Sequence, residues 1–311
     1  LKQTGPSRST AHIVRNLERP ATPTGGLQVD VVLALVAALL FALGTVLQQR
    51  AGLEAPSEGA SSGLLLRMAR RPVWVAGIAA DGLGFVAQAA ALGIGRLAVV
   101  QPLLVASVVF ALPLGARFSG QRIRRVDVGA AALVVAALTA FLLIAEPSGG
   151  SDDAPLSEWL IAGGACAVVC VPLVLLGRTG SPPRRAAMLG TATGVLFAVS
   201  AALTKVVVDQ LGEGVFEIFL SWHLYALVVI GYASMTLNQL ALNTGSLAPA
   251  VATSLSFDPI TSVVLGVTLL DESLRTTAIE GVGLVIALAA ALAGMAILAR
   301  AQAEGQPRPE P

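Results

Sequence analysis

Two carboxylates stand where this chain is otherwise most apolar. Asp81 lies in VWVAGIAADGLGFVAQAAALGIG and Asp258 in LAPAVATSLSFDPITSVVLGVTLL, each near the middle of its run. An ionisable group at the centre of a bilayer costs about 2.5–3.5 kcal/mol on insertion scales. A carboxylate kept there therefore binds a cation or a proton, or stays protonated and serves helix packing. Both readings remain open at this point. Gln88 follows Asp81 by two helical turns on the same face, and Ser254, Asp258, Thr261 and Ser262 share one face of a helix. Pro259 removes a backbone donor, so a carbonyl one turn earlier loses its partner, and Gln101-Pro102 repeats the device in another apolar run. Freed carbonyls beside a carboxylate can coordinate a cation or a polar solute. Irregular backbone at that depth is tolerated only beside protein or a cavity.

Weaker polar signals surround these. Lys205, with Ser200 and Thr204, closes an apolar run, and either reaches the interface or pairs with Asp81 or Asp258. Asn238, Gln239 and Asn243 make a polar stripe. The expected path is lined by Asp81, Gln88, Gln101, Lys205, Asn238, Ser254, Asp258 and Thr261, with Pro102 and Pro259 as helix breaks. Asp81 and Asp258 are the expected ligands of a metal ion or proton. His223, between Trp222 and Leu224 and close to Tyr225, reads as interfacial rather than as a proton relay. Cys166 and Cys170, four apart in an apolar run, read as small hydrophobes. No G-x-S-x-G, P-loop or H-E-x-x-H pattern occurs, so the expectation is no enzyme and no cofactor.

The elements that must hold these groups follow from composition. Of 311 residues, 55% are hydrophobic and only 13% charged, far below the charge of a soluble domain. The reading is an all-α, multi-pass membrane protein whose partners are the lipid bilayer and a small solute or ion, and a homodimer is compatible with it. A nucleic-acid partner is excluded, because no clustered basic face exists. A span needs about 20 apolar residues, which predicts nine of them at about 30–48, 72–93, 97–116, 126–145, 159–177, 186–208, 216–242, 246–270 and 277–299. Residues 1–28 lack the apolar core of a signal peptide and read as a disordered tail, as do 300–311.

The spans fall into two copies. Leu40-Phe41-Ala42 recurs as Leu196-Phe197-Ala198, and Ala91-Leu92, Gly95 and Leu97-Ala98 recur as Ala241-Leu242, Gly245 and Leu247-Ala248. The domains are thus a first repeat at 29–146, an acidic loop and connector span at 147–180, and a second repeat at 181–299. Four spans plus one is odd, so the second copy enters the membrane inverted. Basic residues agree. With the N-terminus outside, 13 of the 20 Lys and Arg fall on the cytoplasmic side. The expected location is the cytoplasmic membrane, N-terminus out and C-terminus in.

This doubled layout, with a proline in the third span of each half, resembles the drug/metabolite transporter superfamily. The 4+1+4 arrangement resembles its NIPA-like magnesium transporter branch, with EamA-like permeases as the related exporter branch. The residues that carry the likeness are Gln48-Gln49-Arg50 ending the first span, Asp81 and Phe85 in the second, Pro102-Leu103 in the third and Lys205 in the sixth. The resemblance implies a secondary carrier that works by alternating access. Its implied cargo is a small solute or divalent cation, magnesium among them, or a metabolite or drug exported against protons. A non-transporting membrane scaffold is the alternative from another class.

Overall fold

The computed structural model describes residues 24–53, 71–119, 123–151, 153–212, 214–244, 246–275 and 277–304. In chain order the helices are α1 (Thr24–Leu53), α2 (Pro72–Ile94), α3 (Leu97–Leu104), α4 (Ala106–Ser119), α5 (Arg125–Ile144), α6 (Leu156–Leu176), α7 (Pro182–Leu211), α8 (Val215–Leu220), α9 (Trp222–Leu242), α10 (Leu247–Leu269) and α11 (Ala278–Glu304). Two short strands, β1 (Glu146–Gly149) and β2 (Glu272–Arg275), complete the order. Nine segments among the described residues are long and apolar enough to cross a membrane, α3 and α4 counting as one.

Local chemistry sets the helix ends. Pro72 and Pro182 start α2 and α7, where a missing N–H costs nothing. Asp127 reaches back to accept a hydrogen bond from the Arg124 N–H at 2.8 Å, which starts α5. Ser221 caps α9 and accepts from the His223 N–H. That cap splits the expected 216–242 span into α8 and α9.

The two prolines behave differently. After Pro102 the helix breaks at Val105, whose N–H donates to Pro102 O at 3.3 Å, a turn tighter than the α-helix. Pro259 lies inside the continuous α10, so the break expected there does not form. A proline removes one bond but leaves the neighbouring ones intact. The α10 backbone is also pressed along α7: a Cβ on Gly190 would strike Ala250 O, and one on Gly194 would lie 2.5 Å from Ser254 O. At the chain ends, 24–28 and 300–304 are helical, not tail, as the first turn of α1 and the last turn of α11. Residues 1–23, 305–311 and most of the basic loop after α1 lie outside the described residues.

Each half packs around one long helix. α1 lies along α2, α3 and α4, and α7 lies along α9 and α10. α5 packs on α11 and α3 packs on α10, joining the halves, while α6 leans on α7. The largest apolar core gathers Leu92 of α2, Leu97, Val100 and Leu103 of α3, Ala202 and Leu203 of α7, and Leu265 and Leu269 of α10. An antiparallel ribbon, unexpected in an all-α reading, ties the loop after α5 to the loop after α10, pairing Glu146 with Arg275 and Gly149 with Glu272. We call this the ribbon end, and the opposite, arginine-rich end the basic end.

The glycine contacts give a direct test. Gly194→Val should lower stability by about 1–3 kcal/mol through overpacking, read as a fall in thermal midpoint in detergent. Gly82 has open space around its Cβ direction, so Gly82→Ala should leave the midpoint unchanged or raised. A tolerated Gly194→Val would refute the close α7–α10 approach.

Candidate functional site

Asp81 faces α1. Gln48 Nε2 donates to its Oδ2 at 2.5 Å. Its other oxygen lies in the notch left by the missing side chain of Gly44, where a Cβ would collide with it. Gly77, one turn before Asp81, meets the Gly44 carbonyl and the Gln48 side chain in the same way. Small residues let the α1 and α2 backbones approach, and the approach encloses one carboxylate with one neutral donor. Gln48 belongs to the basic-end stretch of α1, and its side chain points inward to this pair.

Asp258 faces the second half's long helix. Its backbone N–H lies 2.9 Å from the position of a Gly194 Cβ, and Ser262 Oγ donates to its Oδ1 at 3.3 Å. Ser254 and Ser262 are buried, and Thr261 is half-buried. Asp81 lies nine residues into its span from Pro72, and Asp258 nine from Pro249. At 1.5 Å per residue Asp81 sits about 13.5 Å from the start of α2 and Asp258 about 16.5 Å from the start of α10, each near mid-span. The two acids are both mid-span and do not share a partner. Each holds its own neutral donor, and no contact joins them. Among the described residues no group of three or more His, Cys, Asp or Glu side chains is placed to hold a metal ion. Gln88 and Asn238 are half-buried on α2 and α9. Gln101 is 3% exposed, and its Nε2 is buried with no hydrogen-bond partner, one residue before Pro102. A donor left unsatisfied in an apolar core costs about 1–3 kcal/mol, so Gln101 is the polar group of the expected path with most to gain from a ligand.

Lys205 is placed otherwise than expected. It pairs with neither Asp81 nor Asp258, and it is buried rather than snorkelling. Its Nζ donates to Leu92 O at 3.1 Å and Gly95 O at 3.0 Å, and lies 3.7 Å from Asp209 Oδ2. Those carbonyls end α2, where a helix leaves acceptors unpaired and favours a cation. Two residues on, Glu272 does the complementary work. Leu97 N–H donates to its Oε1 at 2.7 Å and Ala98 N–H to its Oε2 at 2.9 Å, at the start of α3. Gly266 of α10 leaves room for the Glu272 carboxylate beside Ala98 N. Arg96, between the two clamps, donates from Nε to Gly149 O of the ribbon at 3.1 Å. Asp30 is buried against Gly95 on the α1 side.

Glu272 and Asp30 are the residues that sequence reasoning missed. For Glu272 the available signal was an acidic pair, Asp271-Glu272, after a span whose counterpart is followed by arginines. That signal locates a charge but says nothing of a turn 175 positions earlier. Burial raises the Glu272 pKa against the lowering effect of the Ala98 and Leu97 N–H groups, Lys205 and Arg96. A carboxyl raised in the fold gives stability that is fully present below its ordinary value of 4.5 and is lost as pH rises through the raised value. Thermal unfolding should therefore show a midpoint that falls across that interval, and Glu272→Gln should flatten the fall. Glu272→Ala should cost about 1–3 kcal/mol at every pH by stranding two buried N–H groups. An unchanged midpoint in Glu272→Ala would refute the clamp.

No family model matches the chain, and no solved structure matches it. An uncharacterized protein of Corynebacterium glutamicum is 32% identical over 272 residues, a stretch that covers 87% of this chain and 94% of that protein. The shared stretch has to include most of the membrane-spanning helices, since it leaves only 13% of this chain uncovered. The chain therefore belongs to the family of that Corynebacterium glutamicum protein.

Proposed function

We propose that this chain is a secondary carrier of the drug/metabolite transporter type, built as two inverted halves that open alternately to the two sides of the cytoplasmic membrane. The N-terminus lies outside in this reading, and the ribbon end faces out. The observation that carries it is the pair of mid-span carboxylates, Asp81 and Asp258, each with a single neutral donor. Groups so costly to insert are kept for a path rather than for packing alone.

The packing supports the two-half arrangement. Aligning Leu40-Phe41-Ala42 on Leu196-Phe197-Ala198 puts Gly44 opposite Ser200, and the second-span alignment puts Asp81 opposite Gly231. In the first half Asp81 meets Gly44. In the second, a Cβ on Gly231 would lie 3.8 Å from Ser200 Oγ. Matched positions thus meet in both halves, with large and small side chains exchanged. The contacts of α5 with α11 and of α3 with α10 are those that an exchange of halves maps onto themselves.

The cargo is a small solute or a divalent cation. Magnesium sheds water reluctantly and favours oxygen ligands, so one carboxylate and nearby carbonyls would hold it partly hydrated. Proton-coupled export of a small metabolite is the second reading. It is favoured by carboxylates held by neutral Gln48 and Ser262, which allow each acid to gain and lose a proton. Flux of magnesium and of proton-coupled solutes into liposomes containing the purified chain decides between them. Either flux should fall at least tenfold in Asp258→Asn, and in Asp81→Asn, with the thermal midpoint kept within a few degrees. Absence of both fluxes in the unmodified protein would leave the scaffold reading, and flux untouched by both substitutions would remove the two acids from the path.

A further inference from the structure

At the ribbon end a second polar cluster stands apart from the α2–α3 clamps. His223, 3% exposed, is the second residue of α9. Its Nε2 lies 3.1 Å from Asp153 Oδ1, at ion-pair distance, in the segment between the ribbon and α6. Its Nδ1 lies 2.8 Å from Ser221 Oγ and 3.2 Å from Gln210 Nε2 of α7. The Trp222 ring covers one side at a centroid distance of 4.0 Å, and Trp159 of α6 stands edge-on at 5.6 Å. Trp159 Nε1 also donates to Asp153 Oδ1 at 3.1 Å, and the Ala154 N–H at 2.7 Å. The groups that face the imidazole are thus Asp153 from the α6 side, Gln210 from α7, and Ser221 and the two indoles. The nearest ion pair on α7, Asp209 with Lys205, is engaged at the α2 carbonyls.

In a neutral ring Nδ1 accepts from Ser221 or Gln210, while Nε2 faces Asp153 Oδ1 at ion-pair distance without a hydrogen bond to it. A protonated ring needs an acceptor at Nδ1. Ser221 Oγ supplies one, and a half-turn of the Gln210 amide supplies another, because Gln210 Oε1 is buried with no partner. The Asp153 carboxylate lies at ion-pair distance from Nε2 and the Trp222 ring lies against the imidazole. We propose that His223 is a proton-binding site, and that its protonation tightens the hold of Asp153, and with it the ribbon-to-α6 segment, on α7 and α9. Burial raises the Asp153 pKa, but His223 and the hydrogen bonds from Trp159 and the Ala154 N–H outweigh it and hold the carboxyl below its ordinary range. Asp153 is therefore still charged when a histidine takes up its proton. The inference concerns an end of the molecule that the carrier reading leaves unassigned, and it stands whether or not the chain carries a solute.

Tryptophan emission tests it, because a protonated imidazole quenches an indole in contact with it. The chain has three tryptophans, so the full chain carrying Trp74→Phe, in lipid nanodiscs, isolates the two in the cluster. Emission should fall in one step as pH drops through the range about 8 to 5 where histidine titrates. The step should vanish in His223→Gln and move to lower pH in Asp153→Asn. Trp222→Phe, which leaves the histidine in place, should lose most of the amplitude. Hydrogen exchange of a peptide covering 150–160, corrected for intrinsic rates, should slow several-fold across the same step, and not in Asp153→Asn. A step that survives in His223→Gln, or that Asp153→Asn leaves unmoved, would overturn the site. A fluorescence step without a change in exchange would overturn the latch.

Discussion

The turn between α2 and α3 must satisfy two helix ends in a largely buried place with two residues of chain. Only Gly95 and Arg96 separate the two helices, and Leu92, Gly95, Leu97 and Ala98 around the turn are buried. Helix ends leave carbonyls on one side and N–H groups on the other, and neither water nor a long loop is at hand to take them. The fold supplies an ammonium for the carbonyls and a carboxylate for the N–H groups, both from outside the first half. Lys205 comes from α7 and Glu272 from the strand after α10. The first half is therefore closed at the ribbon end by charges that the second half provides.

That dependence explains the unlike polar content of the two halves. A two-half carrier with identical copies would present the same groups to both faces. Here Asp81 lies in a notch of α1 and Asp258 lies on a helix held against α7, with separate donors. The ribbon end holds both clamps and the imidazole cluster, and the basic end holds Arg117, Arg124, Arg178 and Arg184. An alternating motion would have to release the ribbon-end ties as a set. They share the ribbon: Arg96 bonds Gly149, Glu272 pairs with it, and the Ser151 N–H reaches Leu270 O.

The spans were legible because bilayer thickness sets a length and apolarity that composition alone reveals. The proline in α3 was legible as a break, since the missing N–H acts within one turn. The proline in α10 was not, because whether a helix bends there depends on what presses against it, and the Gly190–Gly194 face of α7 is 65 residues away in sequence. Asp81 and Asp258 announced themselves as charges in apolar runs, but their partners did not. Gln48 reads as a polar residue at a helix end, and only the packing of α1 on α2 turns it inward. Lys205 was visible and its role was not. A lysine near the end of a span reads as a snorkelling group until the carbonyls of another helix lie within reach. Glu272 lay furthest from view, because its task is set by a turn on the far side of the sequence.

The central claim is that the level of Asp258 belongs to a path that opens to each side in turn. Thiol accessibility at that level tests it most directly. In a chain with Cys166 and Cys170 replaced by serine, a single Ser254→Cys sits one turn from Asp258. Membrane-impermeant thiol reagents are applied separately to each face of oriented vesicles. The account predicts modification from both faces, slowed from both by a transported solute. Modification from one face only, or from neither, in a chain that is folded would contradict it.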